Sequence, residues 1–190
     1  EDHTGPGSGG PGYNRGGNAL CTTYKFLEPG EVSIHDDRWL TYPWGVNGGT
    51  PGARSTKTLV KKNGDTELLQ SKCDRIIVEE GDTLYHVTWG GGGWGDPFTR
   101  EPERVQFDVE AGLATREGAK NNYGVVLRKD SSINMAATKK LRAEMSKARG
   151  KAKLFDKGFS SIKELKSRCK DETGLDAPED PKFQKWMTAS

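Results

Sequence analysis

The stretch Thr88-Trp89-Gly90-Gly91-Gly92-Gly93-Trp94-Gly95-Asp96-Pro97 gathers most of the residues in this sequence whose types and spacing can do chemistry. Bare glycine backbone can cradle a phosphate through its N–H groups. It is also costly to order, because each glycine gives up more backbone freedom than any other residue. A folded domain keeps such a run where backbone must pass very close to something, or where several positive φ angles follow one another. The flanking Trp89 and Trp94 argue for a packed, ordered loop rather than a flexible linker. Asp96, restrained by the proline after it, either caps the loop through an Asx-turn or points a carboxylate into a site. Arg15, in Tyr13-Asn14-Arg15-Gly16-Gly17-Asn18, stands between glycine turns, where a guanidinium can reach a carboxylate or a phosphate.

Familiar nucleotide motifs are missing. A phosphate loop needs Gly-Lys-Ser/Thr opening a helix, and Trp94 follows Gly93 instead. No G-x-G-x-x-G lies in a strand–helix–strand unit. His35, Asp36 and Asp37 form a compact acid–imidazole set that can bind a metal or move a proton. Without a second cluster at ligand spacing they read as structural, with Asp36 or Asp37 paired to Arg38, and no metal site is assigned. His86 reads as a satisfied core or interface histidine. Cys21, Cys73 and Cys169 are far apart, with no CxxC or zinc spacing, and read as buried free thiols in a reducing, cytoplasmic compartment. No secretory signal and no membrane-length apolar run are present.

The 190 residues are enough for one domain, or one domain plus an appendage, and hydrophobic residues make up 32% of them and charged residues 29%, with 25 glycines. The net charge of +2 is uneven: Lys139–Ser190 carries 14 Lys and Arg against 8 Asp and Glu. That basic end suits a solvated helical tail. The net-acidic remainder lacks an RNA-binding signature, so no nucleic acid is expected.

Short β-rich runs at 19–26, 32–35, 57–62, 66–70, 75–78 and 83–88, separated by turn signals, predict a β-rich core. Asn63-Gly64 predicts a type I′ hairpin. After Pro97 the pattern turns helical. Pro102 opens one helix, Thr115 caps a second over 116–122, and Val125-Val126-Leu127 predicts a last buried strand. Helices follow over 134–149, with Ala137, Leu141 and Met145 in a stripe, and over 160–170 through Ile162, Leu165 and Cys169. Residues 171–190 read as loosely held apart from Phe183 and Trp186, and residues 1–18 fit a flexible lead-in as well as an ordered one. The fold class is α+β: short strands over 13–98 and 125–127, short helices, and a helical basic tail. The division is a core over 1–128 and a Lys-rich extension over 129–190.

Taken in order, these motifs resemble the C-terminal part of the hydantoinase B/oxoprolinase family over about residues 5–145. The resemblance rests on Tyr13-Asn14-Arg15-Gly16-Gly17, Pro43-Trp44-Gly45, Gly48-Gly49-Thr50-Pro51-Gly52, the loop Thr88–Pro97, Arg100-Glu101-Pro102-Glu103-Arg104-Val105, and Tyr123-Gly124-Val125-Val126-Leu127. It implies a part or subunit of an ATP-dependent enzyme that opens cyclic amides of the hydantoin or 5-oxoproline type, or of a related ketone carboxylase, not active alone. ATP would sit on a hydantoinase A-like partner. Any divalent metal would be held by ligands outside this chain, in the N-terminal part of a hydantoinase B-like subunit. Under that resemblance, N–H groups at Gly91 and Gly92 would stabilise a tetrahedral intermediate beside Asp96. Arg15, Trp89 and Trp94 would face a small-molecule substrate or a contact with another subunit. The alternative is a non-catalytic assembly module of the same complex.

Overall fold

The computed structural model describes residues 1–179 of the chain; the expected packing of Phe183 and Trp186 lies outside them. The fold is α+β. A five-stranded antiparallel sheet has the order β1 (Asp2–Gly5), β2 (Ala19–Lys25), β8 (Thr83–Val87), β5 (Thr56–Val60), β6 (Thr66–Leu68). A two-stranded ribbon, β3 (Gly30–His35) with β7 (Lys72–Val78), covers one end of it. Alternation puts Leu59 and Leu84 on the same face, where they meet Ile34, Leu69 and Val78 in the larger core cluster.

The Asn63-Gly64 hairpin forms, but not through a type I′ turn. Only Gly64 has a positive φ, +94°; a I′ turn needs a second one at Asn63. The Gly64 N–H donates to the Lys61 carbonyl, and the Lys61 N–H to Asp65, which makes a longer loop with glycine at the left-handed bulge position.

Beyond the sheet, α1 (Pro102–Glu110) and α2 (Arg116–Tyr123) enclose a second cluster of Val105, Ala119, Tyr123 and Val125. Proline opens α1. The Thr115 hydroxyl caps α2 by accepting the Gly118 N–H, and Gly124 ends it in the left-handed conformation. Val125 is fully buried as expected, yet residues 125–127 are not a strand. The Val125 N–H is taken by the Ala119 carbonyl and the Val126 N–H by the Thr138 hydroxyl, so this backbone is satisfied by helix ends; only Leu127 makes a bridge, to Ile133.

Residues 129–179 are tied to the rest of the fold at several points. α3 (Met135–Arg149) is capped by Asn134 and sends Arg142 to the carbonyls of Tyr123 and Arg100. β9 (Phe155–Asp156) pairs with β4 (Gly45–Val46). α4 (Ile162–Thr173) buries Leu165, Cys169 and Thr173, while Ile162, on the same stripe as expected, is exposed at the first position of the helix. Glu172 of α4 accepts hydrogen bonds from Tyr42 and Arg54, and Tyr42 lies between the guanidinium groups of Arg54 and Arg168.

Candidate functional site

β8 feeds the glycine run into a mesh of three chain segments, residues 8–17, 44–53 and 89–95. Gly90–Gly93 all have negative φ; in the loop only Gly95 is left-handed, at +78°. Close approach, not turn geometry, is therefore what requires glycine here. On one side the Gly10 N–H donates to the Gly91 carbonyl at 2.7 Å, and the Gly91 N–H to Gly17 at 2.8 Å. On the other, the Gly93 N–H donates to Thr50 at 2.9 Å and the Val46 N–H to the Gly93 carbonyl at 3.0 Å. A Cβ at Gly90 would fall under 3.0 Å from the Ser8 carbonyl oxygen, one at Gly92 from Trp44, and one at Gly93 from Pro11. Residues 6–18 are an ordered layer of this mesh, which settles the reading of the lead-in.

The N–H groups of Gly90, Gly91 and Gly93 are consumed inside the mesh, by Ala53, Gly17 and Thr50. Gly92 alone in the run has an N–H with no hydrogen bond among the described residues. Asp96 does what an Asx-cap does: its carboxylate accepts the Phe98 N–H at 2.9 Å and opens the short 3-10 helix Pro97–Thr99. Both its oxygens also accept from Arg149, at 2.8 and 2.6 Å. Arg15 donates to the Gly16 carbonyl and the Asn18 side chain, and its Nε lies 3.7 Å from Asp108.

Trp89 and Trp94 are 40% and 50% exposed, so the tryptophans flank the mesh without being buried in it. Trp94 bridges to Val46, Val46 pairs with Phe155, and the Phe155 ring lies 4.9 Å from that of Trp44. All four are exposed, and Leu154 beside them is too. The result is a group of exposed aromatic and aliphatic residues gathered beside the glycine mesh.

Arg149 holds the Asp96 carboxyl below the ordinary carboxylate range, helped by the Phe98 N–H. A depressed folded-state pKa contributes stability above the unfolded value, and that stability is lost as pH falls through the folded one. Arg149→Gln is expected to cost about 1 kcal/mol near neutrality, given the partial exposure of both groups. In urea melts the gap between wild type and variant narrows as pH falls from about 5 toward about 2.

The acid–imidazole set does not converge. His35 meets Asp74, Asp37 meets Lys72, and Asp36 contacts buried Lys57 and Ser55. Arg38 pairs with neither aspartate; its guanidinium lies over the Trp44 ring. Among the described residues no group of three or more His, Cys, Asp or Glu can hold a metal ion. His86 is not satisfied: its Nε2 is buried without a hydrogen-bond partner among the described residues, and burial with nearby Lys57 lowers its pKa. All three cysteines are free thiols, but only Cys169 is buried. No helix among the described residues is long and apolar enough to cross a membrane. Sequence reading missed the Arg100–Asp108 pair at 2.8 Å and the Arg54–Tyr42–Glu172 cluster. The latter joins residues 118 and 130 positions apart, which no local pattern records.

The family model for hydantoinase B/oxoprolinase matches residues 2–97, half of the chain. The B-type component of a D-/L-hydantoinase from Pseudomonas sp. strain NS671 is 34% identical over 134 residues, which is 70% of this chain and 22% of that protein. The crystal structure of an ATP-dependent caprolactamase from Pseudomonas jessenii superposes with a TM-score of 0.62 at 26% identity, over 75% of this chain and 25% of the other. A nucleotide-free acetone carboxylase structure gives the same TM-score at 21% identity, over 90% of this chain and 27% of the other, and so shares the fold. The chain thus spans about a quarter of the length of the proteins it matches. With the glycine mesh at the end of the matched region, this chain belongs to the hydantoinase B/oxoprolinase family.

Proposed function

We propose that the chain serves as the C-terminal β-rich part of a hydantoinase B-like subunit. That subunit works in the cytoplasm with a hydantoinase A-like partner that binds ATP, and the assembly opens a cyclic amide or carboxylates a ketone. What supports this reading most is the exposed patch of Trp44, Val46, Trp94 and Phe155 beside the mesh. A chain about a quarter the length of its relatives has much of a larger protein left to dock against. An apolar patch seated on backbone that cannot shift is a surface made for such a contact.

In this reading Gly91, Gly92 and Asp96 act chiefly by placement. Asp96 fixes the exit of the loop through Phe98 and Arg149, and the Gly92 N–H is the donor left for a ligand or a neighbouring segment. Trp89 and Trp94 face the contact. Residues 129–190 serve as an extension of the core of 1–128, and any metal is held by the rest of the subunit. A non-catalytic assembly role has its own support: most of the N–H groups of the glycine run are spent internally.

Reconstitution tests the proposal. Purified chain, mixed with the remainder of a hydantoinase B-like subunit and a hydantoinase A-like subunit, is expected to give ATP hydrolysis that depends on hydantoin, 5-oxoproline or a ketone. The chain alone gives none. Equal turnover with the chain left out contradicts the enzymatic role and favours the assembly reading.

A further inference from the structure

A cavity of about 120 Å³ separates the lead-in layer, around Gly9, Pro11 and Arg15, from α2, around Thr115 and Tyr123. Two residues of its wall, Arg15 and Tyr123, carry buried donors with no hydrogen-bond acceptor among the described residues. Tyr123 is 2% exposed, and its hydroxyl donates to no acceptor among the described residues. The Gly12 N–H is directed at the oxygen of that hydroxyl, which leaves the O–H proton as the unused donor. Arg15 uses Nη1 for the Gly16 carbonyl and Asn18, while its buried Nε makes no hydrogen bond among the described residues and only a long ion pair, at 3.7 Å, with Asp108. Behind it, Arg100 donates Nη1 to the Tyr13 carbonyl and Nη2 to Asp108, and its own Nε is also buried and unpartnered.

Charge points the same way. Two guanidinium groups share the single carboxylate of Asp108, which leaves one positive charge uncompensated beside a walled cavity. Buried donors require acceptors, and a net cation favours an acceptor that is itself charged. The space equals about four water volumes, which suits an anion of a few heavy atoms. We propose that this cavity binds a small planar oxyanion of carboxylate or bicarbonate type, held by Arg15 and the Tyr123 hydroxyl.

The inference does not depend on the enzymatic reading, since binding is measured on the 190-residue chain alone. The chain is titrated with acetate, bicarbonate or phosphate at constant ionic strength set with chloride. The ¹⁵N-resolved arginine Nε–H resonances and the melting temperature are followed. Acetate or bicarbonate is expected to move the Arg15 Nε–H signal saturably and to raise the melting temperature by several degrees; which of the two binds more tightly identifies the natural class. Tyr123→Phe, which fills the same space, is expected to weaken binding about tenfold while folding normally. Arg15→Gln is expected to abolish it. No saturable response beyond that of chloride overturns the proposal, as does wild-type affinity in both variants. Tighter binding of phosphate than of either planar anion overturns the assignment to a planar oxyanion.

Discussion

Gly92→Ala is expected to prevent stable folding. The added Cβ would lie under 3.0 Å from the carbonyl oxygen of Trp44, and that oxygen belongs to backbone rather than to a flexible side chain. Relief would require moving residues 44–45 or the run itself. Either motion breaks neighbouring bonds of the mesh, such as Val46 N–H to Gly93 and Gly93 N–H to Thr50. Overpacking against side chains costs about 1–3 kcal/mol. Against backbone in a hydrogen-bonded mesh the loss rises to at least about 4 kcal/mol, a large part of the stability of a domain this size. Gly17→Ala is the control. Nothing lies within 4 Å of a Cβ there, and φ is not positive. That substitution is expected to be neutral, or to stabilise by about 0.4–1 kcal/mol through the unfolded chain. Chemical denaturation of the pair separates a glycine needed for close approach from one that is not.

The second large effect is expected at Asp36. Lys57 lies on the buried face of β5 at 2% exposure; its ammonium contacts the Asp36 carboxylate, and the Ser55 hydroxyl, itself fully buried, donates to the same oxygen. Asp36→Ala strands the ammonium in the core and is expected to cost about 3–5 kcal/mol. The double variant Asp36→Leu with Lys57→Met removes both charges at similar volume and is expected to recover most of that loss, because replacing a buried pair by apolar groups is often neutral. Urea midpoints of the wild type, the single and the double variant give the coupling directly. A single variant within about 0.5 kcal/mol of wild type would show that Lys57 finds another partner or water.

These two sites also mark what the residues disclosed in advance. The strands over 19–25 and 83–87 and the helix cap at Thr115 are written in local pattern, and they formed where that pattern placed them. The glycine run is equally visible as a place needing bare backbone. Its partners are not: Gly10, Gly17, Ala53 and Thr50 lie 37 to 81 positions away, and no periodicity links them to Gly90–Gly93. The same holds for Asp36, which faces Lys57 rather than adjacent Arg38, because strand alternation and tertiary packing, not proximity in sequence, set the neighbour. Val125–Leu127 failed as a strand for the related reason that a buried apolar run reveals burial but not which groups satisfy its backbone. The four patch residues come from three separate segments, so the patch emerges only when β9 folds onto β4.

Trp94 is the most exposed of the four residues of the patch that, in the proposed function, seats the rest of a hydantoinase B-like subunit. Half exposed, it bridges to Asn14 and Val46 through backbone alone, so Trp94→Ser trims the surface and leaves the mesh. The direct measurement is affinity for the N-terminal remainder of a hydantoinase B-like subunit, by calorimetry, with the melting temperature recorded in parallel. Saturable binding is predicted for the wild-type chain. In Trp94→Ser the predicted affinity is lower by about thirtyfold or more, as for an aromatic anchor, at an unchanged melting temperature. Equal affinity of the two proteins, or no binding by either, would contradict a docking role for the patch.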